Sequence, residues 1–177
     1  MAINLRKGQK IALPKLEKII VGLGWEVGAK FDLDAAAFLL GADGKVTGDG
    51  DFIFYNNLRH WSGAVEHCGD NLIGAASGDA EEIRVDLAKV PAEIEKISFA
   101  VTIFESEERG QNFRQIKSAF IRVVDAANGA EILRYNLAED FTIETAVIAG
   151  ELYRHGGDWK FSAIGTGFSG GLAALGR

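Results

Sequence analysis

Glu82-Ile83-Arg84-Val85-Asp86-Leu87 alternates charged and apolar side chains, and Lys96-Ile97-Ser98-Phe99-Ala100-Val101-Thr102-Ile103-Phe104 alternates again shortly after it. A period of two sends successive side chains to opposite faces of an extended chain, so both stretches predict strands. In the second, Ile97, Phe99, Val101 and Ile103 share one face, while Ser98, Ala100, Thr102 and Phe104 share the other. Ser118 to Val124 obeys the same rule, with Ala119, Ile121 and Val123 together. Asn128-Gly129 then supplies a turn into Glu131–Tyr135, which predicts a hairpin. Further strands are expected at Ile19–Leu23, Ala36–Leu40, Phe52–Tyr55, Thr145–Tyr153 and Trp159–Ile164. Pro91-Ala92-Glu93-Ile94-Glu95 reads as one helical turn opened by proline.

With 22 glycines, long helices find little room, and short strands joined by glycine-bearing turns define the expected class. That class is all-β: a two-sheet β-sandwich with a few short helical turns. Its 177 residues suit a single domain spanning 1–177, with no linker, low-complexity tract or internal repeat. A net charge of −6 argues against a nucleic-acid partner, because neutralising phosphates needs a dominant Lys/Arg footprint. The lone Cys68 cannot form an internal disulfide and fits a reducing compartment. No apolar run reaches signal-peptide or membrane-spanning length, so the expected location is the cytoplasm.

The chemistry concentrates in acidic, glycine-punctuated stretches: Phe31-Asp32-Leu33-Asp34-Ala35, Gly69-Asp70-Asn71 and Gly78-Asp79-Ala80-Glu81. Carboxylates, an amide and approachable backbone carbonyls are the oxygen donors a hard cation such as Ca²⁺ takes. If residues 31–35 are extended, Asp32 and Asp34 project to one side and repel, a cost that a cation removes. The plainer reading is that both serve turns by hydrogen-bonding their own backbone. Asp70 to Glu81 has the span of an EF-hand loop. It fails that template because Leu72 and Gly74 occupy ligand places and Ala75 stands where glycine is required.

Other chemistries find less support. His67-Cys68 looks like a nucleophile pair, yet adjacent side chains on a strand point to opposite faces, so the two cannot meet. Gly165-Thr166-Gly167-Phe168-Ser169-Gly170 fits a dinucleotide fingerprint, but too few residues come after it to build the helix and second strand it needs. Those glycines are expected to shape a final turn. His60, His67 and His155 lack zinc-ligand spacing. Trp25, Trp61 and Trp159 could line a sugar cleft, although such residues more often pack in cores or rims.

Taken together and in order, several motifs resemble the TerD/TerE family of tellurium-resistance proteins. They are Trp25 with its acidic neighbour, residues 31–35, Asp51-Phe52-Ile53-Phe54-Tyr55-Asn56-Asn57, Gly69-Asp70-Asn71 and Gly78-Asp79-Ala80-Glu81. Arg109-Gly110-Gln111-Asn112-Phe113, Glu144-Thr145-Ala146, Gly150-Glu151-Leu152-Tyr153-Arg154 and the tail from Trp159 to Leu172 extend the likeness over nearly the whole chain. The resemblance implies a Ca²⁺-binding sandwich without catalytic activity. It further implies a role in resistance to tellurite and other stresses, with protein partners at the inner membrane face. Carried over by position, it implies Asp32, Asp34, Asp70, Asn71, Asp79 and Glu81 as ligands. Ala80 departs from the family's middle acid and Glu26 from its usual Asp, which puts a second ion in question. The competing reading is a Ca²⁺-dependent hydrolase or carbohydrate-binding sandwich, whose ion would organise a cleft.

Overall fold

A computed structural model describes residues 3–13, 17–26, 33–41, 52–53, 59–60, 62–70, 81–103, 118–127, 129–136, 146–155 and 158–168. At several strand ends only the backbone path is described. The strands are β1 Ile3–Leu5, β2 Lys10–Ala12, β3 Lys18–Glu26, β4 Leu33–Leu40, β5 Phe52–Ile53 and β6 Val65–Asp70. They continue as β7 Glu81–Asp86, β8 Lys96–Ile103, β9 Ser118–Asp125, β10 Glu131–Asn136, β11 Ala146–His155 and β12 Asp158–Phe168. One sheet runs β1-β10-β9-β3-β7-β6 and the other β2-β12-β11-β8-β4-β5. Only β1 with β10 is a parallel pair among the described ladders. The expected two-sheet all-β architecture is the one found.

The alternation explains why the sheets stack. Ile19, Val21 and Leu23 of β3, Ile83 and Val85 of β7, and Ile121 and Val123 of β9 are buried on one inner face. Opposite them lie Ala35, Ala37 and Leu39 of β4, Ile97, Phe99 and Val101 of β8, and Leu152 of β11. All belong to one continuous apolar cluster. Each fully buried large side chain contributes about 1.5–3 kcal/mol relative to exposure. The expected hairpin forms between β9 and β10: Gly129 takes a φ of 74° and donates its N–H to the Asp125 carbonyl at 2.8 Å, while Asn128 lies outside the described residues.

Several expectations need correction. Among the described residues the helical turn lies at Leu87–Lys89, a 3-10 turn capped by the Asp86 carboxylate accepting from the Ala88 N–H at 3.2 Å. Pro91–Ile94 closes instead as a single turn through the Ile94 N–H and the Pro91 carbonyl at 3.0 Å. Proline suits the opening of either structure, and the Asp86 cap upstream of the expected start gives the helical role to Leu87–Lys89. Gly165 and Gly167 of the fingerprint-like stretch do not make a final turn, and Gly170 lies outside the described residues. β12 runs through the first two, with Gly167 opposite Val147 and Thr166 opposite Ile148. Three strands, β1, β2 and β6, go beyond the sequence expectation: the first two are only three residues long, and β6 is irregular. β8 is also buried on both faces, since Ser98 and Ala100 are covered as well. There Ala36 and Ala100 lie in a second small cluster with Phe38, which stacks on Phe52 at a centroid distance of 4.5 Å.

Arg154 anchors the connection between β7 and β8. Its Nε donates to the Ile94 carbonyl at 2.8 Å, and its Nη2 donates to the carbonyls of Val90 and Pro91 at 3.0 and 3.1 Å. The guanidinium also lies over the Trp159 ring, 4.5 Å from its centroid. A planar fork with several donors can do this, whereas an ammonium on a flexible stem cannot. Arg154→Lys is therefore expected to cost about 1–3 kcal/mol by orphaning partly buried carbonyls. For a chain of this size that is a fall in melting temperature of roughly 2–4 °C per kcal/mol, measurable by thermal denaturation.

Candidate metal centre at the acidic end of the sandwich

Backbone register places the candidate acids. In the first sheet Leu23 of β3 lies opposite Glu81, the first residue of β7, and Glu26 lies opposite Ser118, the first of β9. In the second sheet Leu33 of β4 lies opposite Ile103, and Thr102 lies opposite Ala146 of β11. The sheets meet through contacts of β4 with β7 and of β9 with β11. The strand ends that flank residues 27–32, 71–80, 104–117 and 137–145 consequently gather at one end of the sandwich. Every sequence-predicted ligand falls on these strand ends or in the segments between them.

Asp70 closes β6 and sits directly opposite Glu81. That pairing depends on an irregularity. From His67 opposite Ile83, an unbroken antiparallel ladder would bring Gly69 opposite Glu81. The register shifts between His67 and Asp70, so Asp70 arrives there instead. Such a bulge inserts one residue and re-aims the side chains beyond it. Asp34 is the second residue of β4, opposite Thr102, on the strand that packs across from β7. The structure thus gathers the backbone positions of Asp34, Asp70 and Glu81 at one end. Their side chains, and Asp32, Asn71 and Asp79 altogether, lie outside the described residues. Among the described residues no group of three or more His, Cys, Asp or Glu side chains is arranged to hold a metal.

The two buried histidines of this region of the chain, one near the bulge and one before β6, have other work. His67 is buried, and its Nε2 lies 3.1 Å from the Ala35 carbonyl oxygen. A carbonyl can only accept, so Nε2 carries the proton. This bond crosses between sheets, tying β6 just before its bulge to β4 just after Asp34. Composition and spacing could not reveal it. The only signal is the break in alternation at Cys68-Gly69, which also hid the strand. The same commitment separates His67 from the nucleophile role considered for His67-Cys68. His60, equally buried, accepts at Nδ1 from the Ser62 N–H at 3.3 Å and lies 2.6 Å from the Ser62 hydroxyl. It organises the tight turn that precedes β6, where Gly63 takes a φ of 75°.

This is a two-sheet β-sandwich that collects its acid-bearing strand ends on one side. The chain belongs to the TerD family: the TerD domain model matches residues 1–177. It is 55% identical to "General stress protein 16U" of Bacillus subtilis (strain 168), over 99% of this chain and 95% of that protein. It is 49% identical to "Tellurium resistance protein TerD" of Serratia marcescens, again over 99% of this chain and 95% of the relative. The crystal structure of a TerD homologue from Streptomyces coelicolor A3(2) superposes with a TM-score of 0.70 at 19% identity, covering 92% of this chain and 96% of that one. That likeness concerns the fold. The family is thus one of tellurium-resistance and general stress proteins. No helix among the described residues is long and apolar enough to cross a membrane.

Proposed function

We propose that this chain is a non-enzymatic Ca²⁺-binding module of a tellurite and general stress-resistance system. The observation that carries this reading is the bulge that sets Asp70 opposite Glu81 at the end where Asp34 enters β4. Like charges directly opposite on neighbouring strands are destabilising. A cation bound where these two acid-bearing strands end would offset that repulsion. Asp32, Asp34, Asp70, Asn71, Asp79 and Glu81 offer only oxygen donors, the set a hard cation takes and a soft one does not. Once bound, Ca²⁺ would supply positive charge and multiple coordination sites that order the surrounding segments. The names of the relatives support the stress-resistance part, and the module would act in the cytoplasm by presenting its ordered end to protein partners at the inner membrane face.

Titrating metal-stripped protein with Ca²⁺ by calorimetry, with Mg²⁺ as control, tests this reading. The expected result is a saturable Ca²⁺ heat with a parallel, selective rise in melting temperature, because a ligand that binds only the folded state stabilises it. The stoichiometry would report whether Ala80 has removed a second site. Absence of binding up to about 1 mM Ca²⁺, the weak limit of extracellular modules, would overturn the reading.

A further inference from the structure

The outer face of the first sheet carries a groove of about 410 Å³ where the start of β3, the end of β7 and the turn before β6 meet. It lies at the opposite end of the strands from the acidic connections. Its volume falls within the range of about 300–1,000 Å³ usual for small-molecule sites. Ile20, Ala64 and Ala126 give it an apolar part, and Lys18, Arg84 and Lys89 place cationic side chains along it. Arg59 joins them beside Gly63: a Cβ at that glycine would meet the Arg59 Nη2 at 3.6 Å and the Lys89 Cδ at 4.0 Å.

Two acids also line the groove, and both are engaged. Glu66 pairs with Arg59 at 3.9 Å, and Asp86 accepts from the Ala88 N–H at 3.2 Å. Among the described residues Lys18, Arg84 and Lys89 have no ion pair or hydrogen bond from their side chains. In a chain of net charge −6, these three cations line one concave, partly apolar surface, where Asp86 lies opposite Lys18 and Glu66 opposite Arg84 in the strand register. A carboxylate offers two oxygens, which an arginine fork alone would occupy. A phosphate monoester offers three oxygens and up to two charges, enough for the fork and two ammonium groups together.

We infer that this groove binds a small phosphorylated molecule, its phosphate held by Arg84, Lys89 and Lys18 and its organic part resting on Ile20 and Ala64. This site is independent of the proposed Ca²⁺ centre. The test is calorimetric titration of the metal-free full chain at about 0.05 M ionic strength, since salt screens exposed charges. Metal-free buffer matters because a cation held at the acidic end would itself attract phosphate. The probes are glucose 6-phosphate, adenosine monophosphate and inorganic phosphate, with glucose and adenosine as controls. At least one phosphorylated probe is expected to bind saturably and more tightly than inorganic phosphate, the parent compounds not at all. Arg84→Gln/Lys89→Gln, at two exposed positions, should weaken that binding by about tenfold or more through lost charge-assisted hydrogen bonds. Lys10→Gln, on the other sheet over Tyr153, should leave it unchanged. Absence of saturable binding up to about 10 mM of every probe would overturn the assignment. So would equal binding by the double variant, or binding of inorganic phosphate as tight as that of both esters.

Discussion

Gly150→Ala is expected to destabilise the protein by about 1–3 kcal/mol or more, through overpacking rather than lost backbone freedom. Gly150 is buried and lies opposite Phe99 on one side and Ala163 on the other. A Cβ there would clash with the Phe161 Cζ and stand only 3.0 and 3.1 Å from Cε1 and Cε2. Phe161 is fully buried and cannot swing away into solvent. Both ladders of β11 shift register between Ile148 and Gly150, so the bulge and the glycine together let the ring lie against the backbone. Denaturant unfolding should show the midpoint of Gly150→Ala fall. Adding Phe161→Leu should recover part of the loss even though that change alone destabilises. If the two effects simply added, the ring would not be the obstacle, since residues in contact are expected to couple by about 0.5–3 kcal/mol.

Asp32→Asn/Asp34→Asn is expected to abolish or greatly weaken Ca²⁺ binding while the metal-free protein stays folded. Neutralising two carboxylates removes charge from the proposed donor set, and affinity depends on the count of charged ligands. At a Ca²⁺ concentration about 100-fold above the wild-type dissociation constant, the ion contributes about 2.7 kcal/mol of stability, which the variant would lose. That is a difference of roughly 5–10 °C in Ca²⁺-dependent melting temperature for a chain of this size. The metal-free variant should melt no lower than metal-free wild type, because its remaining carboxylates repel less. Unchanged Ca²⁺ affinity in the double variant would show the site to be misplaced, even if the protein binds the ion.

How much was legible in the sequence depends on how local each cause is. β8 and β7 announced themselves because alternation is a property of consecutive residues, and Ile97, Phe99 and Val101 are indeed buried together. The Asn128-Gly129 turn was equally readable, since it needs a left-handed residue at a known place. β6 escaped because its bulge breaks the period, and β1 and β2 because three residues show no period at all. In β12 the glycines suggested a turn, whereas pairing with β11 holds them extended. The resemblance marked Gly150-Glu151-Leu152-Tyr153-Arg154 as a motif without a reason. The reasons are close approach to Phe161, a Glu151 carboxylate accepting from the Ser98 hydroxyl at 3.1 Å, and the Arg154 anchor.

The candidate centre divides in the same way. Its residue types and their oxygen chemistry are written in the acidic stretches themselves. So are the two-sheet architecture and the family, because burial pattern and motif order belong to the chain as a string. Which acids become neighbours was decided only in three dimensions: a one-residue bulge carries Asp70 to Glu81, and sheet packing brings the β4 end bearing Asp34 to the same side. The cationic groove belongs wholly to this second kind. Lys18, Arg59, Arg84 and Lys89 are scattered along the sequence as ordinary surface charges. Strand pairing and a glycine turn gather them, since long-range contacts are set by the register of whole strands and not by any neighbour in the chain.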